Sequence, residues 1–232
     1  MSMQFRDGPA ILTARVACKK SSRDPARVTP RDYASSLMNQ AVGTDISHAT
    51  VRLLLPTDSL VDLTAMLHRA YAGQVAMGLS PLAGRQSVEI TRQRCMSGEC
   101  YVAVMDARHE SLGMLPPAAE AGACERIVGV ILFHEIEDAQ GPAFFRRRDV
   151  DYFSQFGVEP GLQGHGIGTL LLDKVERRAI ECGSDELGLS MAEPDTRLRQ
   201  YYERRGFRFI EFWQWPYTNY RSVILSKPLS RG

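Results

Sequence analysis

Between Val158 and Gly168 the chain reads Val-Glu-Pro-Gly-Leu-Gln-Gly-His-Gly-Ile-Gly. An apolar run that enters a glycine-dense turn and then opens a helix is a place for an anion. The first N–H groups of a helix have no internal partner, and glycines let the backbone come close to a ligand. The positive end of the helix dipole adds to these donors, so the segment suits a phosphate or pyrophosphate. Gly164-x-Gly166-x-Gly168 is only a partial match to the dinucleotide pattern GxGxxG. That pattern wants the turn after a first strand and an acid closing the second. Here several strands precede the turn, and Asp185 and Glu186 begin the next strand, so the nicotinamide reading is the weaker one.

The elements that position this turn follow from periodicity and caps. Residues 50–55 read as a strand ended by Pro56, and Ser59-x-x-Asp62 as a capping box before Leu60, Leu63, Leu67 and Tyr71 at helical spacing. Gly73, Gly78, Pro81 and Gly84 break the chain into a loop, and 88–97 suggest a second short helix. Cys100–Met105 and Ile127–Phe133 are expected as neighbouring antiparallel strands joined by a long, mobile hairpin loop. A fourth strand over 149–158 feeds the glycine turn. A helix then spans 166–182, with Ile167, Leu170, Leu171, Val175, Ala179 and Cys182 on one stripe. Leu187–Met191 forms a short strand, Asp195 caps a helix running to Arg205, and 207–215 and 221–227 close the sheet. The order is strand, two helices, three strands, helix, strand, helix, two strands: one α/β domain with a mixed sheet.

Composition narrows the function class. The chain has 232 residues, 44% of them apolar, and a formal charge of +1, so no global field exists to recruit nucleic acid or an anionic membrane. Five cysteines, odd in number and without CxxC spacing, argue against a disulfide framework or structural zinc and for reduced thiols in the cytoplasm. No run approaches a membrane span, and no apolar signal-peptide stretch follows Met1. Residues 1–46 stand apart as a basic extension with little core pattern; the domain is expected over 47–232. The Arg- and Ser-rich composition of the extension suits an organellar transit segment or a weakly ordered tail, and Pro9, Pro25 and Pro30 favour the tail.

Gln163-Gly164-His165-Gly166-Ile167-Gly168 resembles the coenzyme A pyrophosphate loop of the GNAT superfamily of N-acetyltransferases, Gln/Arg-x-x-Gly-x-Gly/Ala. Downstream, residues 195–207 (DTRLRQYYERRGF) resemble that family's Asn-x-x-Ala-x-x-(Leu/Tyr)-Tyr-x-x-x-Gly-Phe helix. The resemblance covers about residues 50–228, with Asp195 in place of Asn and Leu198 in place of Ala as departures. It implies a mixed, mostly antiparallel sheet of about seven strands, flanked by helices and splayed between strands four and five. It implies acetyl-CoA as acyl donor and a small-molecule or peptide amine as acceptor. No set of His, Cys or carboxylates has metal-ligand spacing, so no metal is expected, and a homodimer is possible. The backbone of Gln163, Gly164, His165, Gly166, Ile167, Gly168 and Thr169 would hold the pyrophosphate. Phe156, Gly157 and Val158 would pair with pantetheine, with Asp195 near it. Gly157 suits either the family's strand-four bulge, whose free N–H polarises the thioester carbonyl, or an ordinary packing glycine.

By the same resemblance Tyr202 would protonate the departing thiolate, since a phenol stays protonated at neutral pH; Tyr201 beside it is expected to pack. Glu135, Asp151 and Glu193 are candidate bases for the amine, and Gln155 could orient a water. Each carboxylate taken singly reads better as a solvated surface residue, and nothing in the spacing selects one. Arg146-Arg147-Arg148 reads as a solvated loop or a contact for the 3′-phosphate, and Trp213 and Trp215 as one face of a strand. A non-catalytic acyl-CoA-binding module and an acyltransferase for longer acyl chains are the rival readings.

Overall fold

The computed structural model describes residues 48–119, 123–135 and 141–230; the basic extension lies outside them. In chain order the elements are β1 (Thr50–Leu53), α1 (Leu60–Ala70), α2 (Ala72–Ala76), α3 (Val88–Met96), β2 (Glu99–Asp106), β3 (Glu125–His134) and β4 (Val150–Val158). They continue with α4 (Ile167–Cys182), β5 (Glu186–Ala192), α5 (Thr196–Glu203), β6 (Arg208–Trp213) and β7 (Ser222–Pro228). The expected loop after the first helix contains the one-turn α2, so three helices, not two, precede β2. Ser59 caps α1 by accepting from the Asp62 N–H at 3.2 Å. Asp62 does not complete a capping box; its carboxylate accepts from the Ala119 N–H at 2.7 Å. The β2–β3 connection, expected to be a long mobile loop, carries a 3₁₀ turn at Glu110–Leu112, with Leu112 buried in the core.

Among the described residues seven strands form one sheet in the order β1-β2-β3-β4-β5-β7-β6. Only β4 and β5 run parallel. Alternation along β2 divides the core between the two faces. Tyr101, Ala103 and Met105 join the α4 residues Ile167, Leu171, Leu172, Val175 and Ala179. Cys100, Val102 and Val104 join Leu63, Met66 and Leu67 of α1 and Cys95 of α3. Leu172, not Leu170, completes the buried stripe of α4. Trp215 lies beyond β6 rather than alternating with Trp213 along it.

Two departures from regular pairing shape the sheet's centre. First, β4 and β5 pair from Val150↔Glu186 to Phe153↔Leu189 and then part, although β4 runs on to Val158 and β5 to Ala192. Second, Val130 opposes Gly157 whereas Leu132 opposes Ser154, so Ile131 alone faces both Gln155 and Phe156. This is a β-bulge with Gln155 in the left-handed region at φ 48°. The extra residue reverses the side-chain alternation. Phe153 and Phe156, three apart, both come to face Tyr202, with ring centroids 6.1 and 6.4 Å from it.

Candidate active site

The bulge falls at Gln155 and Phe156 and not at Gly157, where the glycine suggested it. Gly157 is in register, and a Cβ there would lie 3.2 Å from Ala70 Cβ and 3.6 Å from Leu67 Cδ2. Its small size lets α1 approach the sheet. Gln155 is the residue that needs the unusual backbone, and glutamine carries no sequence signal for it.

At the end of β4 the chain makes a 3₁₀ turn, Pro160–Leu162, and the Gln163 side chain turns back so that Nε2 donates to the Val158 carbonyl at 3.1 Å. Gly164 and Gly166 then adopt φ values of 84° and 83°, which an L side chain reaches only with strain. Gly166 is the N-cap of α4, and no side chain caps that end. Among the described residues the N–H groups of Gly164, His165, Gly166, Ile167 and Gly168 therefore donate to nothing. His165 is exposed, and its ring Nδ1 lies 3.1 Å from the Gln163 carbonyl oxygen. Thr169 Oγ1 accepts from Arg205 Nη2 at 2.8 Å, tying the first turn of α4 to the end of α5. Arg69 anchors the base of the turn through two 2.8 Å bonds to buried Glu159.

A cleft of about 1680 Å³ opens where β4 and β5 part. It brings together Phe156, Gly157, Val158, Gln163, Gly164, Gly166, Gly168, Thr169, Asp195 and Tyr202 from the sequence-based set. His165 and Ile167 do not line it. The cleft is lined from both faces of the sheet, by the glycine turn and α5 on one side and by Ala70, Tyr71 and Arg94 on the other. Beyond Phe153 the β5-side edge of β4 has no strand partner among the described residues.

Tyr202 is buried, packed against Phe153, Phe156, Tyr201 and Phe207, and its hydroxyl makes no hydrogen bond among the described residues. Burial raises its pKa well above the ordinary phenol value. Tyr201, expected only to pack, also lines the cleft. Its hydroxyl sits 3.3 Å from where a Cβ on Gly168 would be, and the Arg205 guanidinium stacks 3.9 Å from its ring centroid. Asp195 caps α5 through Oδ1, which accepts from the Leu198 N–H at 3.0 Å.

None of the three candidate carboxylate bases reaches the cleft. Glu193 pairs with Arg221 at 2.6 Å and Glu135 with Arg178 at 3.6 Å. Asp151 is buried on the α4 side, and desolvation pushes its pKa up to about 7. Of the arginine run, Arg147 pairs with Asp149 and lies 5.2 Å over the Phe144 ring, and none of the three arginines lines the cleft.

Sequence reasoning assigned no role to His134, which lines the cleft beside Ser154. Its Nε2 lies 3.0 Å from Ser154 Oγ, and its ring stacks on Tyr152. Desolvation, with Arg94 nearby, lowers its pKa to about 4, so the ring is neutral at pH 7. Arg94 was missed as well. Nothing in the sequence could have found either, because α3 and β3 meet only through the fold.

The cleft thus lies where the sheet parts, between the glycine turn that opens α4 and the ring of Tyr202. The profile of the acetyltransferase (GNAT) family matches residues 87–207, and the chain belongs to that family. Among solved structures, PH1933 from Pyrococcus horikoshii OT3 is similar at 18% identity and TM-score 0.54, over 78% of this chain and 99% of that one. The ribosomal-protein-S18-alanine N-acetyltransferase from Escherichia coli is similar at 15% identity and TM-score 0.51, over 79% and 96%. The NatC complex bound to Gag peptide and CoA is similar at 16% identity and TM-score 0.52, over 79% and 99%. These likenesses show the fold. No curated protein matches the sequence significantly. Among the described residues no helix is long and apolar enough to cross a membrane.

Proposed function

We propose that residues 47–232 form a catalytic domain that moves the acetyl group of acetyl-CoA onto a primary amine by direct transfer in a ternary complex. The observation that carries this reading is the parting of β4 from β5 beyond Phe153 and Leu189, with the N–H groups of Gly164, Gly166 and Gly168, unpartnered among the described residues, at the same cleft. The donors of Gly164–Gly168 take the pyrophosphate, and the free edge of β4 receives pantetheine as a strand would. A β4 N–H beyond Phe153 polarises the thioester carbonyl and stabilises the oxyanion. The amine nitrogen attacks that carbon, the C–S bond breaks, and the Tyr202 phenol gives its proton to the thiolate. The amine's own proton passes to water in the part of the cleft lined by Ser154 and His134, since Asp195 alone of the carboxylates lines it and both its oxygens are engaged.

The two rivals predict different behaviour with the same reagents. Asp195 keeps its capping role without the family's Asn, which weakens the case for a non-catalytic module. The odd number of cysteines, without paired spacing, favours a reducing compartment such as the cytoplasm. The test is calorimetric titration with acetyl-CoA, followed by CoA-thiol release over an amine panel. Binding with amine-dependent thiol release supports transfer. Binding with no release supports the regulatory module, and preference for a longer acyl-CoA moves the donor assignment.

A further inference from the structure

The wall of the cleft on the α1 and α3 side holds a cation that faces no carboxylate among the described residues. Arg94, on α3, lines the cleft half-buried, and its only hydrogen bond among the described residues runs from Nη1 to Gln86 Oε1 at 2.8 Å. The groups facing it from neighbouring elements among the described residues are Tyr71, Tyr152, Tyr217, Tyr220 and His134. None of them is a carboxylate. Elsewhere the fold provides carboxylates readily: Arg69, Arg178 and Arg221 each have one within 2.8 Å. A guanidinium withdrawn from water costs free energy unless an anion meets it.

A second unmet donor lies next to it. Gln155 is 4% exposed, lines the cleft, and has a buried Nε2 without a hydrogen-bond partner. Its orientation is fixed by the network. Gln86 must present Oε1 to Arg94, so its Nε2 donates to Gln155 Oε1 at 2.8 Å and to Thr91 Oγ1 at 2.8 Å. That leaves the Gln155 amide nitrogen over. The strained backbone at Gln155, φ 48°, maintains this placement. One buried glutamine thus holds both an arginine and an amide, and each keeps donors in reserve at the cleft.

We infer that the acceptor amine carries a carboxylate, which Arg94 binds with the Gln155 amide on the cleft wall opposite the phosphate turn. This rests on the transferase reading and gives it a substrate class: a small amino acid-like molecule with amine and carboxylate in one compact frame. Arg94 and Gln155 select and position the acceptor and take no part in the bond changes. A guanidinium fork matches a carboxylate geometrically, whereas it repels a cationic polyamine.

The experiment uses the full chain with acetyl-CoA and a panel pairing free amino acids with their carboxamides, read by CoA-thiol release and product mass. Wild type is expected to favour the acid over its amide by roughly 10-fold or more in kcat/KM, mostly through KM, as loss of a charged hydrogen bond implies. Arg94→Met should abolish that preference, and Arg94→Lys should keep part of it. Equal or better use of the amides by wild type overturns the inference, whether or not Arg94→Met folds. A preference that persists in folded Arg94→Met also overturns it. In both cases transfer itself still stands. If wild type binds acetyl-CoA yet acetylates no amine at all, the transferase reading fails and this inference falls with it.

Discussion

Gln74 and Asp195, on opposite sides of the cleft, are joined by a 3.0 Å hydrogen bond from Nε2 to Oδ2, while Asp195 Oδ1 accepts the Leu198 N–H at 3.0 Å. One carboxylate thus fastens α2 to α5 and caps the helix that carries Tyr201 and Tyr202. The two tasks can be separated. Asp195→Ala should cost about 1 kcal/mol, the usual worth of an N-cap, and lower the melting temperature by about 2–4 °C. Asp195→Asn should retain the cap and most of the stability. Gln74→Ala should melt near wild type, because it leaves the cap intact; differential scanning calorimetry checks all three.

The glycine turn before α4 makes a sharper demand. Gly166, at φ 83°, is the N-cap of α4. A residue with a Cβ pays about 1–2 kcal/mol in the left-handed region, which is roughly 10-fold in affinity if the turn shifts to escape the strain. Gly166→Val should therefore bind both acetyl-CoA and dephospho-CoA at least about 10-fold more weakly. Unchanged affinity by calorimetry in the folded variant would remove the pyrophosphate from this turn.

Asp151 gives a pH signature independent of catalysis. Burial first of all, with Glu135 nearby, raises its pKa to about 7, against about 3.9 in an unfolded chain. Between about pH 4 and 7 the folded protein keeps a proton that the unfolded chain has lost, so this group's contribution to stability falls as pH rises through that window. Asp151→Asn cannot ionise and should gain on wild type over the same range, by up to about 4 kcal/mol for three pKa units. His134, with its pKa lowered to about 4, works in the opposite direction between about pH 4 and 6.5 and is common to both proteins. The difference between their urea-unfolding curves across pH isolates Asp151.

The proton donor is tested by Tyr202→Phe. The change removes one hydroxyl that makes no hydrogen bond among the described residues and keeps the ring among Phe153, Phe156 and Phe207. Cofactor affinity should hold, and kcat should fall by about 10²-fold, the low end of acid–base contributions. The alkaline limb of the pH–rate profile should move or vanish. A wild-type kcat with saturating amine would make Tyr202 structural and leave the thiolate to be protonated by water.

Much of this architecture was legible because local signals agreed with it. Ser59 and Asp195 announce helix starts, α4 shows its apolar stripe, and the glycines at 164 and 166 mark the turn. What failed was what depends on a single inserted residue. The bulge at Gln155 reverses the alternation of β4, so Asp151 points to the α4 side while Gln155 points to Gln86 and the cleft. A glycine inside a strand can mean a bulge or a close neighbour, and only the 3.2 Å approach of Ala70 decides for the neighbour at Gly157. The cleft wall around Arg94 was illegible for another reason: Arg94, His134 and Tyr217 come from three distant segments, and no spacing connects them.

The central claim, direct acetyl transfer to an amine, is tested most directly by mass spectrometry of one reaction mixture with the amine added last. The account predicts that the protein incubated with acetyl-CoA alone keeps its unmodified mass. On addition of the amine, N-acetylated product and free CoA should then appear in equal amounts. An acetylated protein that passes its acetyl group to the amine would contradict direct transfer. Bound acetyl-CoA that stays intact with every amine offered would contradict the function itself.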